Sequence, residues 1–305
     1  MLLNKRQIKR LLRYKPLRYL RAERITSTIW RNFRSMFTLI WYGRRKKYVL
    51  RYQGVEVIFL TEDSYSRNWF YPRLDRGRIH EEGLTHMLSR ILKSSKCFVD
   101  IGANIGYFTC LASKLMPKGG KIHSFEMDEL NYNTLSKNVS INHLGNVSIW
   151  HAAVTDFQGW ASYRRRSRQE LALSALSPES SKSDIEERQI LVQTVALDDF
   201  FSDKDVSPDV IKIDVEGAEM KVLKGMQRLL GENEAKVFIE VHPYELHRFG
   251  SSAEDVICLL LDKAYTIYEI KPHSRKHSEG MNLRMLDRHS QLNYMTHVYA
   301  VRERV

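Results

Sequence analysis

From residue 97 onward, short apolar runs of strand length alternate with helical patterns, and this rhythm leaves the chain few folds to choose from. Strand-like runs occupy residues 97–101, 121–125, 147–150, 210–213, 237–241, 265–270 and 297–301. Helical patterns fill residues 106–115, 130–142, 218–230 and 253–263. Repeated βα units fold as a parallel sheet with helices on both faces. Two gaps break the rhythm. Residues 160–163 and 190–195 read as two extra strands around a polar, Ser-rich insertion, and the segment before the last strand is too polar for a packed crossover helix. The last strand can therefore enter antiparallel.

The part before this rhythm differs in charge. The formal net charge is +12, yet residues 1–50 hold 15 Lys/Arg and one acid, a balance of +14. The other 255 residues then carry 33 bases and 35 acids, or −2. The excess positive charge therefore belongs to an appendage and not to the body. Ile29, Phe33, Met36, Phe37 and Ile40 recur there at helical spacing among arginines. Residues 1–47 read as a basic helical extension suited to packing on the body or to peripheral contact with an anionic membrane face. No apolar run in it reaches the roughly 18 residues a spanning helix needs. Residues 48–61 read as a β-hairpin broken at Gln53-Gly54, and residues 48–95 as that hairpin plus a lid or substrate segment. Residues 96–305 form the main domain, with the insertion at about 160–195. Cys97, Cys110 and Cys258 show no paired spacing, which fits a reducing, cytoplasmic compartment.

The chemistry concentrates where strands end. In FVDIGANIGYFT a strand delivers Asp100, glycines follow at Gly102 and Gly106, and a helix starts at once. Free amides and a close backbone suit a nucleotide-like ligand in the crevice at the strand ends. Glu126 closes the next strand, 24 positions after Gly102, where a carboxylate can accept from both hydroxyls of a ribose. The loop lacks the third glycine of a dinucleotide turn. An acid at Asp100 would repel a diphosphate and suits the cationic amino group of S-adenosylmethionine. Further on, IKIDVEGAE brings Asp214, Glu216 and Glu219 to a strand end, and VFIEVHP brings Glu240 and His242 to the next. Helix capping accounts equally well for Glu216 and Glu219.

The series VDIGANIGYFT, FEMDELN, HAAVTDFQG, VALDDFF, IKIDVEGAEMKVLKGM and FIEVHP, in that order, resembles the FkbM-type branch of the class I S-adenosylmethionine-dependent methyltransferases over about residues 80–270. The resemblance implies an α/β, Rossmann-like, seven-stranded and mostly parallel sheet with an antiparallel last strand. It also implies that Asp100, Gly102, Asn104 and Gly106 hold the methionine part of the cofactor, Glu126 the ribose and Met127 the adenine, with Asp214 at the edge facing the acceptor. The acceptors it suggests are hydroxyls of sugars, glycolipids or polyketides.

The expected reaction is O-methylation, with His242, oriented by Glu240, as the base and Asp214 as its substitute. Asp214, Glu240 and His242 could also hold a divalent metal, although their spacing is no metal motif and none is expected. Two other readings stay open: an RNA methyltransferase using the basic arm, and a cofactor-fold module that only docks on a membrane or polymer. Acceptor contacts are expected from residues 64–83, 160–190 and 272–295, the parts no motif constrains.

Overall fold

A computed structural model describes residues 47–60, 79–167, 170–175, 189–232, 234–271 and 283–302. The basic extension and most of the expected lid and acceptor loops lie outside the described residues. Among the described residues no helix is long and apolar enough to cross a membrane.

The hairpin comes first, β1 (Lys47–Tyr52) against β2 (Val55–Leu60). Gln53 and Gly54 both have positive φ, as a two-residue hairpin turn demands. Helix α1 (Glu82–Leu92) then leads into the main sheet, built from β3 (Cys97–Ile101), β4 (Lys121–Phe125), β5 (Val147–Trp150), β10 (Val210–Ile213), β11 (Lys236–Val241), β12 (Thr266–Ile270), β13 (Leu283–Leu286) and β14 (Thr296–Val301). Its order is β13-β12-β14-β11-β10-β3-β4-β5. The pairs from β5 to β11 are parallel, and β14 inserts antiparallel between β11 and β12. All seven expected strands are present. The sheet gains an eighth, β13, because part of the polar segment before the last strand pairs with the edge of β12.

Alternate residues of each strand feed opposite faces. Val99, Ile101, Ile211, Ile213, Val237 and Ile239 pack with the short α4 (Leu197–Phe200), α5 (Glu219–Lys224), α6 (Gln227–Glu232), the short α7 (Pro243–Leu246) and α8 (Ala253–Asp262). Phe98, Val210, Phe238 and Tyr299 pack on the other side with α1, α2 (Tyr107–Leu115) and the hairpin. The single helix expected over residues 218–230 is thus two short ones, broken between Lys224 and Gln227.

The insertion is a second sheet. β6 (Ala152–Val154), β7 (Gly159–Ser167), β8 (Glu170–Ala175) and β9 (Gln189–Val195) run in the order β6-β9-β7-β8. β8 lies in what the sequence presents as a polar loop. Its cross-strand partner β7 supplies the pairing that local composition does not announce.

An edge strand leaves backbone groups without partners unless something covers them. Here α3 (Glu129–Ile141) does so. Asn138 Oδ1 accepts from the Leu60 amide at 2.8 Å and its Nδ2 donates to the Ile105 carbonyl at 2.8 Å. Asn142 Oδ1 accepts from Ile58 N at 2.7 Å and its Nδ2 donates to Ile58 O at 2.6 Å. One fully buried amide therefore joins the hairpin to the glycine loop. Asn138→Ala is expected to destabilise the protein by about 2 kcal/mol or more, since two backbone groups lose a buried partner. Thermal unfolding checks this, and a variant melting with wild type would show that the amide bridge is not structural.

Candidate active site

At β3 the chain reverses its direction of travel across the sheet, going to β4 and β5 on one side and to β10 and β11 on the other. Ligands of open α/β sheets bind at such a switch point. Gly102 makes the closure there possible. Its φ is +73°, and a Cβ on it would lie 1.8 Å from the Asp214 carbonyl oxygen. The loops after β3 and β10 thus touch backbone to backbone.

Two hollows open on either side of this contact. The first, about 750 Å³ including its part open to solvent, is lined by Gly102, Asn104, Glu126, Met127, Val154 and Phe249, among others. The second, about 890 Å³ on the same basis, is lined by His80, Glu81, Lys212, Glu240, His242 and Met295, among others. Gly102, Asn104, Asp214 and Glu216 belong to both. A ligand in one hollow therefore meets a ligand in the other along this common rim.

In the first hollow Glu126 is buried, and each of its oxygens holds one backbone amide: Asn104 N at 2.7 Å and Asp128 N at 2.8 Å. A carboxylate oxygen has a further lone pair for a hydroxyl. Burial pushes the carboxyl up to about 7, against the pull of these amides. Glu216, with φ 47°, is likewise pushed up to about 7 by burial and then by the Asp214 charge. The buried Asn104 Oδ1 has no hydrogen-bond partner among the described residues.

Asp100 and Gly106 line neither hollow. Strand alternation puts the Asp100 side chain on the face covered by α2. There Oδ2 accepts from Thr109 Oγ1 at 2.6 Å, and Oδ1 lies 3.6 Å from the buried Lys212 ammonium. Lys212 thus stands beside the charge expected to greet a cation. Gly106, φ +89°, caps α2, and a Cβ there would come within 2.5 Å of Leu135 on α3. Asn104, Met127 and Asp214 do line the first hollow, with Gly102 and Glu126.

His242 also has a different partner from the one expected. Its Nδ1 lies 2.7 Å from Glu219 Oε1, while Nε2 is 3.7 Å from Glu240 Oε1. Glu219 is fully buried at the start of α5 and also accepts from Gly217 N at 3.0 Å. An ionised carboxylate only accepts, so Nδ1 carries the proton and Nε2 is the atom that can take or release one. Glu219, legible in sequence as a helix cap, is the orienting acid. Burial pulls the imidazole down, but the Glu219 bond and the charges of Glu219, Asp214 and Glu240 more than reverse it, to about 9. Glu240 is itself raised, by burial first and then by Asp214. Donor atoms of Asp214, Glu240 and His242 all lie within 4.8 Å of one another, close enough to share an ion.

Lys212, His80 and Glu81 were not legible as site residues. Lys212 reads as a polar interruption in a buried strand, and its Nζ sits 3.3 Å from Asp214 Oδ2. His80 and Glu81 lie in a stretch without either period, and only folding carries them to the second hollow.

The model of the FkbM methyltransferase domain matches residues 100–267, more than half of the chain. A relative named hexuronic acid methyltransferase AglP, from Haloferax volcanii, is 25% identical over 181 residues, which is 59% of this chain and 67% of that protein. Among solved structures, a methyltransferase FkbM from Methylobacillus flagellatus KT is 21% identical with a TM-score of 0.41, covering 68% of this chain and 44% of that longer one. An O-methyltransferase from Bacillus cereus, solved with SAH, is 12% identical with a TM-score of 0.42, covering 80% and 92%. The family match runs from Asp100 near the end of β3 into β12, taking in every strand end that borders the two hollows except that of β14, and by it the chain belongs to the FkbM family of methyltransferases.

Proposed function

We propose that this chain transfers a methyl group from S-adenosylmethionine to a hydroxyl oxygen of a sugar, glycolipid or polyketide-like acceptor. The observation that carries the reading is the common rim of Gly102, Asn104, Asp214 and Glu216, which joins a hollow suited to an adenosine compound to one holding a positioned imidazole. The residues fit the cofactor. Glu126 keeps lone pairs for the ribose hydroxyls, and Met127, Val154 and Phe249 give the flat base apolar neighbours. The unpartnered Asn104 oxygen and the acids of the rim suit a cationic amino group. S-adenosylmethionine supplies, when bound, a methyl group on a sulfonium that is already a good leaving group.

The chain's own work is positioning and proton removal, of which positioning in favourable cases is worth about 7 to 11 kcal/mol. His242 Nε2 takes the hydroxyl proton, with Nδ1 held by Glu219. Asp214 and Glu216 mark the boundary across which the acceptor oxygen must reach. A sugar acceptor is supported by the name of the Haloferax relative and by the hydrogen-bonding lining of the second hollow.

Calorimetric titration of S-adenosylmethionine into the protein tests the reading. Binding is expected to tighten as pH rises through about 7, because hydroxyls and a cation prefer ionised Glu126 over its acid form. Glu126→Gln is expected to weaken binding and to flatten its pH dependence. Absence of binding to the wild type, or an unchanged affinity and pH dependence in the variant, would refute the assignment.

A further inference from the structure

A second set of donor atoms converges beside the His242–Glu219 pair. Glu240 and His297 are directly opposite across the antiparallel β11/β14 ladder, on the face that also carries Phe238 and Tyr299. Glu81, the N-cap of α1 with φ 44°, is brought to the same place. His297 Nε2 lies 3.2 Å from Glu81 Oε2 and 3.5 Å from Glu240 Oε2, and donor atoms of the three residues all lie within 4.8 Å of one another.

Both contacts are longer than the bonds of a tight ion pair. A charge-assisted N–H···O bond closes to about 2.7–2.9 Å with the proton on the line between the atoms. Here, among the described residues, His297 Nε2 and Glu81 Oε2 are buried, and the separation between them is longer than such a bond. The nitrogen is shared between the two carboxylates. With ligand bonds of about 2.1 Å, neighbouring donors of one cation stand about 3.0 to 3.5 Å apart, which both measured separations satisfy. The outer partners of such a site are also present, since His80 Nε2 holds the other oxygen of Glu81 at 2.9 Å.

We propose that Glu81, Glu240 and His297 bind a divalent metal ion on the wall of the second hollow. One imidazole and two carboxylates suit Mn²⁺ or Zn²⁺ better than an all-oxygen Ca²⁺ cage. Glu81 and Glu240 line the hollow, so water or an acceptor oxygen can complete the coordination. Glu240 then connects the ion to the reacting region, because its other oxygen faces His242 Nε2 at 3.7 Å. The site itself does not depend on methyl transfer; only its service to an acceptor rests on the reading above.

The full chain, stripped with a chelator, is titrated with Mn²⁺ in the absence of methyl donor, following heat and the paramagnetic resonance of free ion. One ion per chain is expected, with a nitrogen coupling from one imidazole on the bound Mn²⁺. His297→Ala and Glu81→Gln are expected to weaken uptake by about tenfold or more, whereas His242→Ala should retain it. No uptake by the wild type, or bound Mn²⁺ without a nitrogen coupling, overturns the proposal even if a variant fails to fold. So does uptake unchanged in both ligand variants, or uptake lost in His242→Ala and kept in His297→Ala, which would assign the ion to Asp214, Glu240 and His242. Cofactor titration on the same protein is a separate readout, so failure of the metal site leaves methyl transfer standing, and the reverse.

Discussion

Replacing His242 by alanine is expected to lower kcat by about 10² to 10⁴-fold while leaving the S-adenosylmethionine dissociation constant at its wild-type value. His242 lines the second hollow and not the first, so its loss should touch proton transfer and not cofactor binding. The pH profile separates this from a structural effect. An imidazole held at about 9 is mostly protonated at neutral pH and cannot accept a proton. Wild-type kcat is therefore expected to climb with pH, reach half its maximum near 9 and level off above that. Glu219→Gln removes a carboxylate that favours the cation, so the rise should move to lower pH. An alanine variant that keeps both its turnover and that rise would take the base role away from His242 and direct the search to Asp214 or Glu216.

Gly102→Ala is expected to cost about 3 kcal/mol or more of stability, combining the left-handed backbone penalty with overpacking. The added methyl would meet a backbone carbonyl at 1.8 Å, and a backbone atom cannot swing aside as a side chain can. For a domain of this size that loss is a fall in Tm of roughly 6 to 12 °C. Cofactor and acceptor binding should suffer together, since Gly102 lines both hollows. Calorimetric melting and cofactor titration check it. Wild-type values in both would mean that the loops after β3 and β10 do not pack backbone to backbone.

Much of the site was legible because its residues sit at strand ends, where local pattern and function coincide. Gly102, Asn104, Glu126, Met127 and Asp214 follow apolar runs directly, and the runs become the neighbouring strands β3, β4 and β10. Asp100 shows the limit of that logic. It stands one residue before the end of β3, and alternation turns its side chain to Thr109 and Lys212. The pairing of His242 with Glu219, 23 positions apart, was invisible because two loops must fold over each other before the atoms meet. The missed strands β8 and β13 have the same origin. Each is a short apolar stretch, ELALSA or LRML, set in a polar segment, and only pairing with β7 or β12 marks it as a strand.

The amino-acid order alone fixed the alternation of strands and helices and the acids that border the crevice. All of these follow from local periodicity or from a residue's place at the end of a buried run. Tertiary structure alone decided which acid orients His242, which cation stands beside Asp100, and that Glu81, Glu240 and His297 meet. Those facts depend on register and on contacts between distant segments, and hydrogen bonds, desolvation and charge act through space, whatever the separation along the chain.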